Sequence, residues 1–287
     1  MKFYKIIILN IVFTAISYAQ FTDVIINIDY SNINEKEMFV FENFEEELKT
    51  YFLNNYFFDE PDELELILDV HMVIENINNK GGEKIIGAKA GLTSLAKQKA
   101  MGVNEPVYGI ITDKMKLEPD KKVALDNFIH PRIEPEIVFI LGKDLSGHNL
   151  SIEEILDATE SICCGLEIID SRYLDFRFTL ADVVADNTSA SAFILGNPIP
   201  LDGLELDLLG CLLEINNEVV ATATGAAVLG HPAHAVSLLA SWLHKQGKSL
   251  KKGWVILSGG LTNAFPIEPN NYIRGSFAHL GSVSIKI

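Results

Sequence analysis

Hydrophobic positions from residue 84 onward fall into short apolar runs that are bounded by glycine, proline or polar turn residues. Runs of this length and spacing are typical of β-strands. Asn216-Asn217 between two of them is a two-residue hairpin signal. The predicted strands are the run that begins at Lys84, Glu105 to Ile111, Arg132 to Leu141, Gly165 to Arg172, Gly210 to Ile215, Glu218 to Ala223, Val255 to Gly260 and Gly281 to Ile285.

Helical periodicity separates several of these strands. Ser151 and Glu154 form a capping box, and the apolar positions behind it predict a helix that runs to Cys163. Further helices are predicted from Leu95 to Met101 and from Pro232 to about Lys245, with His231 and His234 at the start of the second, as ligands or as plain cap and surface residues. Before residue 84 we expect two helices, from Glu42 to Leu53 and from Leu64 to about Asn78.

The first nineteen residues allow two interpretations. Lys2 and Lys5 precede the apolar run from Ile6 to Ile16, and Ser17-Tyr18-Ala19 follows with a small residue at each end. This order resembles a secretory signal peptide, although the run is too short to span a bilayer comfortably. The alternative is a buried first element of the fold.

Composition narrows the classes of function. The chain of 287 residues carries a formal charge of -16, with a pI near 4.8, and no stripe of lysine and arginine offsets it. A nucleic-acid partner is therefore not expected. An anionic substrate would need local positive charge from a metal, a lysine or oriented backbone amides. Three cysteines without metal-type spacing indicate core packing in a reducing compartment.

Two carboxylates open the apolar strand at Arg132. Strand side chains alternate between faces, so Glu134 and Glu136 point the same way. Buried carboxylates are costly unless something neutralises them, and Mg²⁺ favours a few hard oxygen ligands of this kind. The simpler interpretation is a strand with one solvated face. Glu167, also embedded in an apolar strand, is a third candidate ligand.

Lys89 is the candidate cation. It lies in Gly87-Ala88-Lys89-Ala90-Gly91, where small neighbours allow another backbone to come close. An ordinary surface lysine is the competing interpretation. The phosphate-binding loop pattern is absent around it.

Five ordered motifs over about 200 residues together resemble the hydratase/decarboxylase branch of the fumarylacetoacetate hydrolase superfamily. They are Gly87 to Ser94, Glu134-Pro135-Glu136, Leu166 to Tyr173, Val184 to Asn187 and Gly225 to Pro232. The likeness starts near residue 71, so we expect a catalytic domain of residues 71–287. Residues 1–70 then form a divergent segment, with the leader-like residues 1–19 followed by helices.

The resemblance implies an α+β fold around a curved β-roll and a Mg²⁺ or Mn²⁺ held by Glu134, Glu136 and Glu167, with Lys89 as the active-site cation and Asn187 and Ser189 as substrate contacts. It implies metal-dependent decarboxylation of 2-oxohex-3-enedioate to 2-hydroxypenta-2,4-dienoate and CO₂ in the meta-cleavage degradation of aromatic compounds. A 2-oxo acid chelates Mg²⁺ through its carboxylate and ketone oxygens.

Two other functions stay open. A 2-hydroxypenta-2,4-dienoate hydratase shares the metal site but needs proton transfer at carbon, and the hydratase group resembles Pro-Asp-Phe-Gly where this chain has Pro106-Val107-Tyr108-Gly109. Val107 therefore favours the decarboxylase. A non-catalytic metal-dependent protein that binds oxo acids is the other alternative.

The resemblance also bears on partners and location. It implies a small dicarboxylic 2-oxo acid as substrate, a homo-oligomer that associates with the partner hydratase, no membrane and a cytoplasmic location. Export through residues 1–19 is the alternative location.

Overall fold

The computed structural model describes residues 20–29, 46, 49, 63–71, 84–94, 97–99, 106–173, 176–177 and 180–287. The chain divides into two compact units, residues 2–81 and residues 82–287. All predicted site residues belong to the second unit. The expected leader, residues 1–19, lies outside the described residues, and the expected domain boundary at residue 70 stays a prediction.

The first unit contains two parallel strands, β1 (Gln20–Asp29) and β2 (Glu63–His71). The helix predicted from Leu64 is therefore wrong over β2. Leu64, Leu66, Leu68 and Val70 alternate with mostly polar residues, and this period of two fits a strand better than the helical spacing we counted. Of the helix predicted from Glu42 to Leu53, the structure describes Glu46 and Lys49, both helical.

A mixed eight-stranded sheet forms the centre of the second unit. Its strands are β3 (Ile85–Gly91), β4 (Val107–Thr112), β5 (Lys116–Leu117), β6 (Arg132–Leu141), β7 (Thr159–Ile169), β8 (Ala190–Leu195), β11 (Val255–Leu257) and β12 (Phe265–Pro266). The order is β4-β3-β11-β6-β7-β8-β5, and β12 pairs with β6. Only the β3–β11 and β5–β8 pairings are parallel within this sheet.

The two faces of this sheet bury different chemistry. On β6, Ile133, Ile137 and Phe139 are fully buried in the main hydrophobic core. Glu134 and Glu136 occupy the alternate positions and face the opposite side, because the side-chain period of a strand is two. That second face is also closed, since a smaller apolar cluster of Ile111, Val138, Cys163, Phe193 and Leu257 packs there. The solvated strand face is therefore excluded.

A second, antiparallel sheet adds to the main core. It consists of β9 (Gly210–Ile215), β10 (Glu218–Thr224), β13 (Tyr272–Phe277) and β14 (Gly281–Lys286), in the order β10-β9-β13-β14. The predicted hairpin between β9 and β10 is confirmed, with φ of 55° at Asn216 and 67° at Asn217. β13 was not predicted.

In the described part of the second unit, residues 97–99 are helical, and three further helices accompany the sheets: α1 (Ile152–Ala158), α2 (Leu180–Ala185) and α3 (Pro232–His244). The capping box of α1 is confirmed, but the helix ends at Ala158 and not at Cys163. Thr159 already has extended backbone angles and starts β7, where its β-branched side chain and that of Ile162 fit well. The expected α+β class with a curved mixed sheet is confirmed.

One stretch among the described residues, Gly225–His244, is long and apolar enough to cross a membrane, but 56% of it is buried within the protein. Positive φ angles at Leu229 (51°) and Gly230 (82°) interrupt it before α3. The stretch is thus a core helix with an irregular lead-in.

Candidate metal centre

Strand register brings the three glutamates together. Glu134 on β6 lies directly opposite Glu167 on β7, and Glu136 lies opposite Gly165. Because cross-strand partners share a face, all three carboxylates point to the same side. Each offers one oxygen within 4.8 Å of the other two, and among the described residues this is the one such group of three or more acidic, histidine or cysteine side chains.

The three carboxylates are almost completely enclosed, with Glu134 6%, Glu136 0% and Glu167 1% exposed. Glu136 Oε2 accepts a hydrogen bond of 2.8 Å from the Gly259 amide. Glu136 Oε1 and Glu167 Oε2 have no hydrogen-bond partner among the residues that the structure describes. Buried oxygens without partners are costly, and a divalent cation with a preference for carboxylate oxygens would satisfy both. The donor set therefore fits Mg²⁺ or Mn²⁺.

Crowding of like charges perturbs two of these groups. Burial, followed by the charges of Glu167 and Glu134, raises the pKa of Glu136 well above its ordinary value, against the opposing effect of Lys89. Burial also raises the pKa of Glu167, which Lys89 partly offsets. Glu136 and Glu167 thus resist ionisation in this buried site until a cation compensates them.

Lys89 is not a surface lysine. It is 1% exposed, and its Nζ lies 2.5 Å from Glu167 Oε1 and donates a hydrogen bond of 3.0 Å to the Thr188 carbonyl. Register places it on the carboxylate face, because Lys89 pairs with Leu257, which in turn pairs with Val138. The small residues around Lys89 are needed because other groups come close: a side chain at Gly87 would overlap the Val255 carbonyl, and one at Gly91 would overlap the Thr188 side chain.

The carbonyl that holds Lys89 belongs to a strained segment. Asn187, Thr188 and Ser189 all have positive φ, at 51°, 59° and 52°, a conformation that is uncommon for residues other than glycine. The Asn187 side chain secures the segment by accepting from the Ile110 amide and donating to the Ile110 carbonyl, both at 2.9 Å. The two hydrogen bonds to Ile110 on β4 thereby fix the Thr188 carbonyl in its position next to Lys89.

Asn187 and Ser189, the predicted substrate contacts, therefore make internal hydrogen bonds. The Ser189 hydroxyl donates to Asp186 at 2.9 Å and is 3% exposed. Asp186 also pairs with Arg172 at 2.7 Å. A direct contact of either residue with substrate stays a prediction.

A second lysine, which the sequence analysis missed, also contacts the glutamates. Lys97 Nζ lies 2.8 Å from Glu134 Oε2 and 3.4 Å from the Gly260 carbonyl. Its helical turn starts at Ser94, whose hydroxyl accepts from the Lys97 amide at 3.2 Å. Burial alone would lower the pKa of Lys97, but the charge and hydrogen bond of Glu134, together with the charges of Glu136 and Glu167, outweigh burial and raise that pKa. The position of Lys97 three residues after Ser94, which caps the helical turn, was the feature of the sequence that could have indicated this lysine.

Gly259 and Gly260 form the wall of the site next to this lysine. Gly259 has φ of +110°, and a side chain at Gly260 would overlap the Glu134 carboxylate. The two glycines thus allow a backbone amide to reach Glu136 and leave room for Glu134.

The other candidates take ordinary roles. His231 caps α3 by accepting from the Ala233 amide at 3.1 Å, and His234 Nδ1 lies 2.9 Å from the Leu229 carbonyl. The three cysteines are free and buried. Val107 is buried on β4 opposite Gly91.

The chain is similar in sequence to known enzymes. The chain is 41% identical over 219 residues to 4-oxalocrotonate decarboxylase of Pseudomonas sp. (strain CF600), which covers 76% of this chain and 83% of that protein. It is 36% identical over 221 residues to 2-keto-4-pentenoate hydratase of Paraburkholderia xenovorans (strain LB400), with 75% and 82% covered. No protein-family model matches the chain.

A solved structure is similar as well. 4-Oxalocrotonate decarboxylase from Pseudomonas putida G7, complexed with magnesium and adipate, superposes with a TM-score of 0.70 at 40% identity, covering 71% of this chain and 78% of that chain. Another structure of that enzyme holds calcium and acetate, with a TM-score of 0.68 at 39% identity and the same coverage. Both structures of this enzyme contain a divalent cation.

Proposed function

The chain belongs to the hydratase and decarboxylase branch of the fumarylacetoacetate hydrolase superfamily, and from that membership we propose that it decarboxylates 2-oxohex-3-enedioate (4-oxalocrotonate) to 2-hydroxypenta-2,4-dienoate and CO₂. Decarboxylases and hydratases are both lyases, so the chain is a lyase. The observation that carries the proposal is the buried group of Glu134, Glu136 and Glu167 with Lys89 beside it. This step belongs to the meta-cleavage degradation of aromatic compounds.

The three glutamates would hold one divalent cation, for which we propose Mg²⁺ or Mn²⁺. Magnesium in a solved relative supports this choice. When bound, the cation supplies Lewis-acid polarisation of the ketone of a 2-oxo acid. With three protein ligands, it would keep positions for substrate oxygens.

Lys89 then opposes the charge that the reaction creates. As the bond between C5 and C6 breaks, its electron pair moves through the C3–C4 double bond to the oxygen at C2, which gains a proton to give the enol product. We propose that the buried Lys89 ammonium, which contacts Glu167 and the Thr188 carbonyl, donates a hydrogen bond to this oxygen. No nucleophile of this chain needs to form a covalent bond with substrate.

Val107 supports decarboxylation over hydration. Addition of water requires a group that transfers a proton to carbon, whereas the enol product needs a proton on oxygen alone. Val107 is 4% exposed and packs against Gly91, so its apolar side chain offers no acid or base. The hydratase relatives at 36% identity keep hydration as the alternative function.

Two parallel incubations test the proposal. The purified protein with Mg²⁺ receives 2-oxohex-3-enedioate in one reaction and 2-hydroxypenta-2,4-dienoate in the other. Release of CO₂ from the first supports decarboxylation. Consumption of the second alone would assign the hydratase, and turnover of neither would leave a protein that binds oxo acids.

Assembly and location are further parts of the proposal. We propose a homo-oligomer, which exposed apolar side chains at Leu208, Leu212 and Val219 support, and an association with the hydratase that consumes the product. A cytoplasmic location is supported by three free, buried cysteines. Light scattering measures the mass in solution. N-terminal sequencing of the mature protein tests the location, since a chain that starts at Gln20 would indicate export.

A further inference from the structure

Lys97 differs from Lys89 in what it can reach. Both lysines contact two groups of the protein, but the Lys89 side chain is 2% exposed and the Lys97 side chain is 22% exposed. Lys97 also lines a cavity of about 330 Å³ together with Ser94, Gly260, Thr262, Asn263 and Phe265. It therefore lies on the boundary between the carboxylate group and an open space.

The charges around the metal centre bear on whether Lys97 can interact with a group other than Glu134. The three carboxylates carry at most three negative charges, and the ammonium groups of Lys89 and Lys97 lie against two of the carboxylates. If the three glutamates held a divalent cation, its charge would also compensate Glu134. Lys97 would then be held less tightly by Glu134, and its four-carbon stem would let the ammonium group turn toward the cavity.

The cavity wall suits an acid with an apolar middle and a charged end. Ser94, Thr262 and Asn263 bring polar side chains that can donate hydrogen bonds to an anion, while Val220 and Phe265 provide apolar surface. The protein as a whole has a charge of -16, so a dianion needs a local cation at each end. The metal centre with Lys89 serves the end that carries the 2-oxo group.

We propose that Lys97 binds the distal carboxylate of the substrate and thereby selects dicarboxylic over monocarboxylic 2-oxo acids. This inference rests on the proposed function, because it takes the 2-oxo group to lie at the metal centre. The distal carboxylate loses its charge as CO₂ forms, so Lys97 contributes to KM more than to kcat.

A pair of unreactive acids tests this role without turnover. 2-Oxoadipate and 2-oxohexanoate differ in the distal carboxylate alone, and their binding to the Mg²⁺-loaded protein is measured by titration calorimetry. Wild type should prefer 2-oxoadipate. Lys97→Met should weaken 2-oxoadipate about tenfold or more and leave 2-oxohexanoate within about twofold, since a hydrogen bond to a charged group is lost for one acid only.

Two further variants serve as controls. Lys97→Arg keeps the charge and should retain the preference, and Lys99→Met removes an exposed lysine of the same helical turn and should bind both acids as wild type does. Mg²⁺ titration of Lys97→Met confirms that the metal centre is intact.

Three results would overturn the inference. The first is an equal loss of affinity for both acids in Lys97→Met, which would mean that Lys97 acts through Glu134 and the metal. The second is an unchanged affinity of that variant for both acids. The third is equal affinity of wild type for the two acids. Turnover of 2-oxohex-3-enedioate together with any of them would leave the proposed function in place. If Lys97→Met loses the preference for 2-oxoadipate and the wild-type protein does not turn over 2-oxohex-3-enedioate, the inference about Lys97 is supported and the proposed function is refuted.

Discussion

Lys89 Nζ and Glu167 Oε1 lie 2.5 Å apart, with both side chains 2% exposed or less. This buried ion pair joins the carboxylate group on β6 and β7 to the strained segment of residues 187–189, whose Thr188 carbonyl also accepts from Lys89. Removal of one partner from such a pair leaves an uncompensated buried charge. We therefore expect this ion pair to affect both the stability of the protein and the proposed reaction.

Replacement of Lys89 by methionine should abolish CO₂ release. Loss of its charge should also lower the free energy of unfolding of the metal-free protein by about 3–5 kcal/mol. Saturating Mg²⁺ should restore part of that loss, because it binds the folded state. Urea unfolding with and without Mg²⁺, together with a CO₂ assay, measures both effects.

Lys84→Met, which removes an exposed lysine one residue before β3, is the matched control and should behave as wild type. Near-normal turnover in Lys89→Met would remove Lys89 from the mechanism.

Glu136→Gln should have opposite effects on metal binding and on stability. The variant loses a ligand, so its Mg²⁺ affinity should fall about 100-fold or more. Burial and two neighbouring carboxylates already raise the pKa of Glu136, so a neutral amide should leave the metal-free protein as stable as wild type or more so. Calorimetric titration and thermal unfolding report the two quantities. Glu160→Gln on the exposed side of β7 is the control, and an unchanged affinity in Glu136→Gln would refute the ligand assignment.

Asn187→Ala distinguishes positioning from substrate contact. If Asn187 acts by fixing Thr188 against Lys89, its removal should lower kcat about tenfold or more, with KM and Mg²⁺ affinity close to wild type. A raised KM with an unchanged kcat would instead support the direct substrate contact expected from the sequence. Steady-state kinetics at saturating Mg²⁺ separates the two.

The cysteines should be unreactive in the folded protein. Burial raises the pKa of Cys163 to about 12, of Cys164 to about 11 and of Cys211 to about 12, from an ordinary value of 9.0. Since the thiolate is the reactive form, Ellman's reagent at pH 8 should label the native protein far more slowly than the urea-unfolded protein.

The same shifts predict a loss of stability in alkali. A thiol whose folded pKa exceeds its unfolded value binds its proton more tightly in the folded state, so its contribution is complete below pH 9 and declines as the pH rises toward 11 to 12. Triple replacement of the cysteines by alanine should reduce this decline. Rapid labelling of the native protein at pH 8 would contradict both expectations.

Much of the metal centre follows from local rules. The period of two put Glu134 and Glu136 on one face. The glycines around Lys89 indicated a close backbone approach, which the structure shows between Gly87 and the Val255 carbonyl, whereas Gly91 makes room for the Thr188 side chain. What local pattern cannot supply is register. The direct opposition of Glu134 and Glu167, and the route from Lys89 through Leu257 to Val138, depend on which strands pair.

The errors have similar causes. The helix predicted from Leu64 and the excess length given to α1 both came from apolar residues that fit helical spacing by chance, whereas β-strand pairing decided the outcome. Lys97 was missed because its partner, Glu134, lies on another element 37 residues away in sequence. Neither distance nor burial of a lysine is visible in the sequence.

The most direct test of the account is a metal titration with CO₂ release as readout. The purified protein is stripped with a chelator, and Mg²⁺ is added back in the presence of 2-oxohex-3-enedioate. We predict no CO₂ release from the stripped protein, recovery that saturates at one Mg²⁺ per chain, and no recovery at the same Mg²⁺ concentration in Glu136→Gln. CO₂ release that survives metal removal, or normal recovery in Glu136→Gln, would contradict the account.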